Sequence, residues 1–260
     1  GFGGKESQAS NIGALAALAA AATLRPVALT LNRHDDMTIT GNRHPFDSRY
    51  RAGFDRKGTL VALAVDTFSD GGFSTDLSPG VMDRCLYHLD NAYFIQDLRF
   101  TGRVARTNHA SNTAFRGFGG PQGMVVVEDA INRFAERSGR DPASVRQHNF
   151  YSQEEGRNVA PYGQKLDRIR LQDLWGQLSK SSDYTARRSA IDAHNLTHPL
   201  RRRGIGLQPI KFGISFTKAL LNQAGALVHI YADGSVHLNH SGTEMGQGLT
   251  RKMLAVCAHE

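Results

Sequence analysis

Three glycine-rich turns divide this sequence: Gly1-Phe2-Gly3-Gly4, Gly117-Phe118-Gly119-Gly120, and the run from Gly242 to Gly248. Glycine reaches positive φ without steric cost and lets a backbone approach a neighbour closely, so each run reads as a tight turn. The first two lead directly into helical sequence, an alanine-rich run from Ser7 to Thr23 and a stretch opening at Pro121. A helix N-terminus presents free N–H groups and partial positive charge, which suits an anion. Three such turns in one chain suggest an extended anionic cofactor held from several sides. Neither common nucleotide device is present: no turn has the GxGxxG spacing after a strand, and no Gly-Lys-Ser/Thr follows a P-loop spacing.

Between the turns the pattern alternates irregularly. Pro26 ends the alanine-rich helix, and Val27–Leu31 then alternates like a strand. Arg49–Phe54 and Thr59–Phe68 read as a hairpin joined around Lys57-Gly58. Ser78-Pro79 opens a short helix through His88, and Phe94–Thr107 reads as extended. Pro121 starts a strong helix to Ser138, and Asp141-Pro142 starts another that ends near Asn149. Further helices are expected at Leu171–Leu178 and Tyr184–Asn195. Gly204–Phe216 and Ala224–Leu238 read as strand-like, the latter turning at Asp233-Gly234, and a last helix starts near Gly246 to Gly248. Strands and helices mix without regular βαβ alternation, so the expected class is α+β with mixed sheets. The polar stretch from Tyr151 to Lys165 suggests a division into residues 1–150, a linker at 151–170, and residues 171–260.

With 40% hydrophobic and 21% charged residues, the chain can bury a core and is not expected to be disordered. Its net charge of +7 invites a nucleic-acid reading, but the basic residues are scattered. The one tight run, Arg201-Arg202-Arg203, carries no interleaved aromatics, so no nucleic acid is expected as a partner. Two cysteines, Cys85 and Cys257, make neither a disulfide framework nor a CxxC pair, which fits a reducing, cytoplasmic setting. The longest apolar run, Ile12 to Leu24, is too short to span a bilayer, so no membrane association is expected. The chain opens without Met and stops inside helical sequence, and is expected to be an internal piece of something longer.

The words around the turns are distinctive. Thr107-Asn108 followed by Ser111-Asn112-Thr113-Ala114-Phe115-Arg116-Gly117-Phe118-Gly119-Gly120-Pro121-Gln122-Gly123 resembles a signature of the xanthine dehydrogenase/oxidase family, in its molybdenum-binding region. So do Gly1 to Glu6, Ile39 to Phe46, Lys211 to Thr217, Leu221 to Ala226 and Gly242 to Gly248, in the family's order and near its spacing. The resemblance runs nearly end to end and is weakest from Tyr151 to Leu200.

That resemblance implies a molybdenum–molybdopterin cofactor and hydroxylation of a purine (hypoxanthine and xanthine to urate) with water as the oxygen source. Glu6 matches a glutamate that hydrogen-bonds the purine, and Arg84 an arginine that meets its other side. A guanidinium aimed at a purine oxygen stabilises negative charge developing on the ring. Phe118 and Phe216 match the two rings that sandwich the heterocycle by face and edge, and Thr217 matches a further substrate contact. Phe2 and Arg116 match positions that meet the molybdenum centre through backbone atoms; Gly3, Gly117, Gly246 and Gln247 match the cofactor's surroundings. The family's general-base glutamate matches no residue of this chain, so no catalytic residue is assigned. The [2Fe-2S] clusters and FAD that carry electrons away in the family are expected on other domains or subunits, in a homodimer or heterotetramer. A cofactor-binding fragment without its own turnover and an aldehyde-oxidase-like relative are the alternatives. Aldehyde oxidases usually carry apolar residues where this chain has Glu6 and Arg84.

Overall fold

The computed structural model describes residues 6–244 and 246–260, with side chains from residue 9 onward. Phe2, Gly3 and the side chain of Glu6 lie outside the described residues.

Alanine, the strongest helix former, sustains α1 (Glu6–Thr23), which remains largely exposed. The strand expected at Val27–Leu31 does not form, and α2 (Arg33–Ile39) follows instead. Its signal is local: the Asn32 side chain caps it by accepting from the Asp35 N–H at 2.9 Å, and Asp35 and Asp36 occupy its first turn.

β1 (Phe46–Phe54) and β2 (Leu60–Gly72) form the expected antiparallel hairpin. One oxygen of Asp55 accepts from the N–H groups of both Lys57 and Thr59 at 2.8 Å, and Gly58 takes φ +95°. β3 (Asp97–Arg106) pairs with β2 in parallel, which requires the crossover made by α3 (Ser78–Tyr87). The sheet order is therefore β1-β2-β3.

α4 (Gly120–Ser138) places Gly123, Val126, Val127, Ala130, Ile131 and Ala135 on one buried face, at spacings of three and four. That face joins Leu60, Leu63 and Val65 of β2 with Tyr93, Val145, Phe150 and Trp175 in the core. Burying a side chain such as Val127 or Ile131 contributes about 1.5–3 kcal/mol. α5 (Pro142–His148) closes one end, its N-cap Asp141 accepting from the Ala143 N–H. The polar stretch after Phe150 has no helix or named strand, yet its first residue is fully buried and the Tyr151 hydroxyl donates to Asp90.

α6 (Leu171–Ser181) and α7 (Tyr184–Thr197) form as expected, and Trp175 and Tyr184 seat them on the core. Gly204–Phe216, expected to be strand-like, forms neither strand nor helix. The backbone groups of its second half are bound by side chains in place of a neighbouring strand: Asn91 Nδ2 donates to the Pro209 carbonyl at 3.0 Å, and the Lys211 N–H donates to Asn91 Oδ1 at 3.2 Å. A 3-10 turn (Ala219–Leu221), an exposed hairpin of β4 (Ala226–Ile230) and β5 (Val236–His240), and α8 (Leu249–His259) complete the chain. Among the described residues no helix is long and apolar enough to cross a membrane.

Candidate functional site

The site grows from the close approach of α3 and α4. A Cβ on Gly119 would meet the Val81 carbonyl oxygen at 2.0 Å, and one on Gly123 would meet that of Cys85 at 2.2 Å. Only glycine lets the turn before α4 lie directly on α3. Gly117, Phe118 and Gly119 take φ of +91°, +50° and +94° in succession. A bulky residue at positive φ is uncommon and strained, and such strain is concentrated at functional sites. Here it lifts the half-buried Phe118 ring out of the turn, over α3.

Phe216 arrives from the other direction. Its ring centroid stands 5.5 Å from that of Phe118 at an interplanar angle of 58°, a tilted pair. Asn222 brackets its backbone, accepting from the Phe216 N–H at 2.6 Å and donating to its carbonyl at 2.8 Å. Gly80 floors the pair, since a Cβ there would touch both rings at 3.3–3.4 Å. Thr217, half-buried, follows directly.

Arg84 lies beside this pair, near the Phe118 ring and bound to the backbone just before Phe216. Its guanidinium lies 5.9 Å from the Phe118 centroid and 5.3 Å from that of Phe212. Its two terminal nitrogens donate to the carbonyls of Gly213 and Ser215. Burial pulls its pKa below the ordinary guanidinium value, although the group stays cationic. Its Nε is buried with no partner among the described residues.

Two more buried polar atoms beside the Phe118 turn share that condition. Arg43 lies over the Phe115 ring at 4.6 Å and donates from Nη2 to the Arg116 carbonyl at 2.6 Å, but its Nη1 has no partner among the described residues. Gln122, in the first turn of α4, has an unsatisfied Oε1. Unsatisfied buried donors and acceptors are costly and rare; an anionic group laid along this turn would accept from the two guanidinium donors, and an N–H of the same cofactor would serve the Gln122 Oε1. The residues present fit such a group.

Of the residues expected from the sequence, the structure brings Arg84, Phe118 and Phe216 together, with Arg116 and Gly117 immediately before Phe118. Gly246 and Gln247 lie elsewhere, in the exposed loop ahead of α8. There the Glu244 carboxylate accepts from the N–H groups of Gly246 and Gly248 at 2.9 Å and Thr250 at 3.0 Å, and Gln247 donates to the Thr243 carbonyl at 2.9 Å. An anion approaching the α8 N-terminus therefore meets a carboxylate already in place. Arg43, His88 and Gln122 were not singled out from sequence. Arg43 and Gln122 sit inside two of the distinctive words, which was the available signal.

A glycine turn of this shape, with unsatisfied polar atoms beside it, belongs to a cofactor-binding class of domain. The molybdopterin cofactor-binding domain family matches twice, over residues 1–150 and again over 177–260. The chain belongs to that family. Its sequence is 49% identical to xanthine dehydrogenase/oxidase of Mus musculus over 258 residues, 99% of this chain and 19% of that protein. It is 48% identical to nicotinate hydroxylase of Emericella nidulans over 261 residues, again 19% of that protein. The chain therefore spans about a fifth of the length of these relatives. In structure it is similar to the aldehyde oxidoreductase of Desulfovibrio desulfuricans, with a TM-score of 0.69 and 27% identity over 87% of this chain and 24% of that one. The α+β fold expected from the sequence is the one this chain shares with that aldehyde oxidoreductase.

Proposed function

We propose that this chain supplies the substrate cradle and part of the cofactor seat of a molybdenum hydroxylase acting on flat nitrogen heterocycles, with purines foremost. The observation that carries the reading is the convergence of Phe118, Phe216 and Arg84 from three separate parts of the chain. Two tilted rings orient a planar ligand at low entropic cost, and a guanidinium beside them stabilises negative charge gained by the ring. The resemblance to both a xanthine dehydrogenase/oxidase and a nicotinate hydroxylase supports a ring nitrogen in the substrate.

The bound molybdenum cofactor supplies the oxidising chemistry, with water as oxygen source. Arg116 and Gly117 would border it from the Phe118 turn, with Arg43 and Gln122 offering the unsatisfied polar atoms. Phe2, Gly3, Gly246 and Gln247 are assigned to the same cofactor, Phe2 and Arg116 meeting its metal through backbone atoms. Glu6 is assigned to the far edge of the substrate, and Thr217 to its side.

We further propose a division at residues 151–170 between two cofactor-binding domains, which the separate family matches support. The [2Fe-2S] and FAD centres would be carried by other domains or subunits of a homodimeric or heterotetrameric cytoplasmic enzyme of purine catabolism.

The test is steady-state hydroxylation by the full-length, cofactor-loaded protein with xanthine, nicotinate and a simple aldehyde. A strong preference for the heterocycles supports the reading. Turnover of the aldehyde alone overturns it and favours the aldehyde-oxidase-like alternative.

A further inference from the structure

The segment that delivers Phe216 is held at regular intervals. Asn91 binds the backbone at Pro209 and Lys211, Arg84 binds the carbonyls of Gly213 and Ser215, and His88 Nε2 accepts from the Gly213 N–H at 2.9 Å. Ser215, directly before Phe216, sits at φ +96°, a strained conformation for a residue with a side chain. It persists only while its neighbours are held.

His88 is the unusual member of this set. Its Nδ1 lies 2.7 Å from the Arg84 carbonyl, which can only accept, so Nδ1 carries the proton. Its Nε2 faces an N–H, which can only donate, so Nε2 is bare. The two partners together require one neutral tautomer. A second proton would set N–H against N–H and break the bond to Gly213. The ring is 4% exposed and packs on Phe212 with centroids 4.8 Å apart.

We propose that His88 is a positioning residue for ring binding: neutral, with its proton on Nδ1, it fixes Gly213 and thereby sets Phe216 against Phe118. This rests on the reading that those two rings hold the substrate. The charged groups around His88 agree with a neutral ring. Burial chiefly lowers its pKa from the ordinary imidazole value, and the Arg84 and Lys211 cations lower it further, against the Arg84 carbonyl and Asp90, which raise it. Protonation therefore belongs below pH 6.5, the ordinary value. As pH falls through that lowered value the strap loosens, and above 6.5 it is intact.

The test uses the full-length, cofactor-loaded protein with xanthine, comparing wild type, His88→Ala, His88→Gln and Phe216→Leu. Glutamine keeps an acceptor for the Gly213 N–H and does not titrate. Expected for His88→Ala is a KM raised about tenfold with kcat within about twofold, and His88→Gln returns KM to within about threefold of wild type. The wild-type KM should rise as pH falls below 6.5, and this acid limb should be missing in His88→Gln. Amide-exchange protection at residues 213–216, corrected for intrinsic rate, should drop in His88→Ala and on acidification of wild type only. If His88→Ala does not fold, loss of the acid limb in His88→Gln decides the matter. Should Phe216→Leu leave the xanthine KM unchanged, the ring-binding reading fails and the proposal with it, whatever the exchange data say of the strap. Should Phe216→Leu raise KM while both His88 variants keep the wild-type KM, pH profile and protection, His88 does not position Phe216 and the proposal alone is overturned.

Discussion

A methyl group on Gly123 would stand 2.2 Å from the carbonyl oxygen of Cys85, closer than any side-chain carbon tolerates. The contact between α3 and α4 is therefore backbone on backbone. It decides how near Arg84, on α3, comes to Phe118, in the turn leading into α4.

Gly123→Ala should force α4 away from α3 and destabilise the fold by about 2–3 kcal/mol, through overpacking. Gly119→Ala should cost more, because its φ of +94° adds left-handed strain of about 1–2 kcal/mol. Gly176→Ala, in α6 with nothing within 4 Å of the added carbon, should instead stabilise by about 0.5–1 kcal/mol. Denaturant midpoints measure all three. A Gly123→Ala midpoint equal to wild type would contradict the close approach.

A second prediction concerns Glu128, whose carboxylate is buried on α4. It takes the Arg146 Nε at 2.8 Å, Asn91 Nδ2 at 2.8 Å and the Tyr93 hydroxyl at 2.5 Å. Glu128→Ala strands the Arg146 guanidinium, only 5% exposed, and should cost about 3–5 kcal/mol. Pairing Glu128→Leu with Arg146→Met should recover most of that, since an apolar pair replaces the buried ions without leaving one alone. Because Asn91 also holds Pro209 and Lys211, Glu128→Ala should lower amide protection along 209–213 as well. A single substitution that costs no more than the double one would sink this account.

The Arg84 assignment makes a third. Arg84→Met in the full-length protein should reduce kcat/KM for xanthine about 100-fold or more while leaving a simple aldehyde within a few-fold, because only the heterocycle develops charge beside the guanidinium. Arg84→Lys should fail nearly as badly. An ammonium cannot donate to the Gly213 and Ser215 carbonyls from one planar fork, so the strap before Phe216 would slacken too. Equal losses for both substrates would remove Arg84 from substrate recognition.

Much of this arrangement was legible in the sequence, for identifiable reasons. Gly117 to Gly120 announces its turn because glycine at positive φ leaves few alternatives, and the three-and-four spacing from Gly123 to Ala135 announces α4. The stretch from Gly204 to Phe216 misleads because a strand-like pattern here has no strand beside it. Its hydrogen bonds go to Arg84, His88 and Asn91, more than a hundred residues away, and no local pattern records that. Val27–Leu31 misleads differently. Its alternation is genuine, but among the described residues it has no ladder partner, and an alternating run without one stays coil. Arg43 and Gln122 went unnoticed because an unsatisfied atom is a property of packing and not of residue type.

The loop ahead of α8 yields the last prediction. Glu244 accepts from the N–H groups of Thr250, Gly248 and Gly246, and those bonds, Thr250's first, hold its pKa below the ordinary 4.5. A depressed carboxylate contributes its stabilisation above its unfolded value and loses it as pH falls through the folded one. Amide protection at Gly246, Gly248 and Thr250 should therefore hold steady from neutral pH down to about 4.5 and collapse below it. Glu244→Gln keeps the shape but weakens the acceptor, so it should show reduced protection at every pH and no collapse. The exposed position of Glu244 confines the effect to the loop and the first turn of α8, leaving the global unfolding midpoint unchanged. A midpoint that falls along with the local protection would mean the loop is coupled to the core, contrary to the separate, exposed placement of β4, β5 and α8.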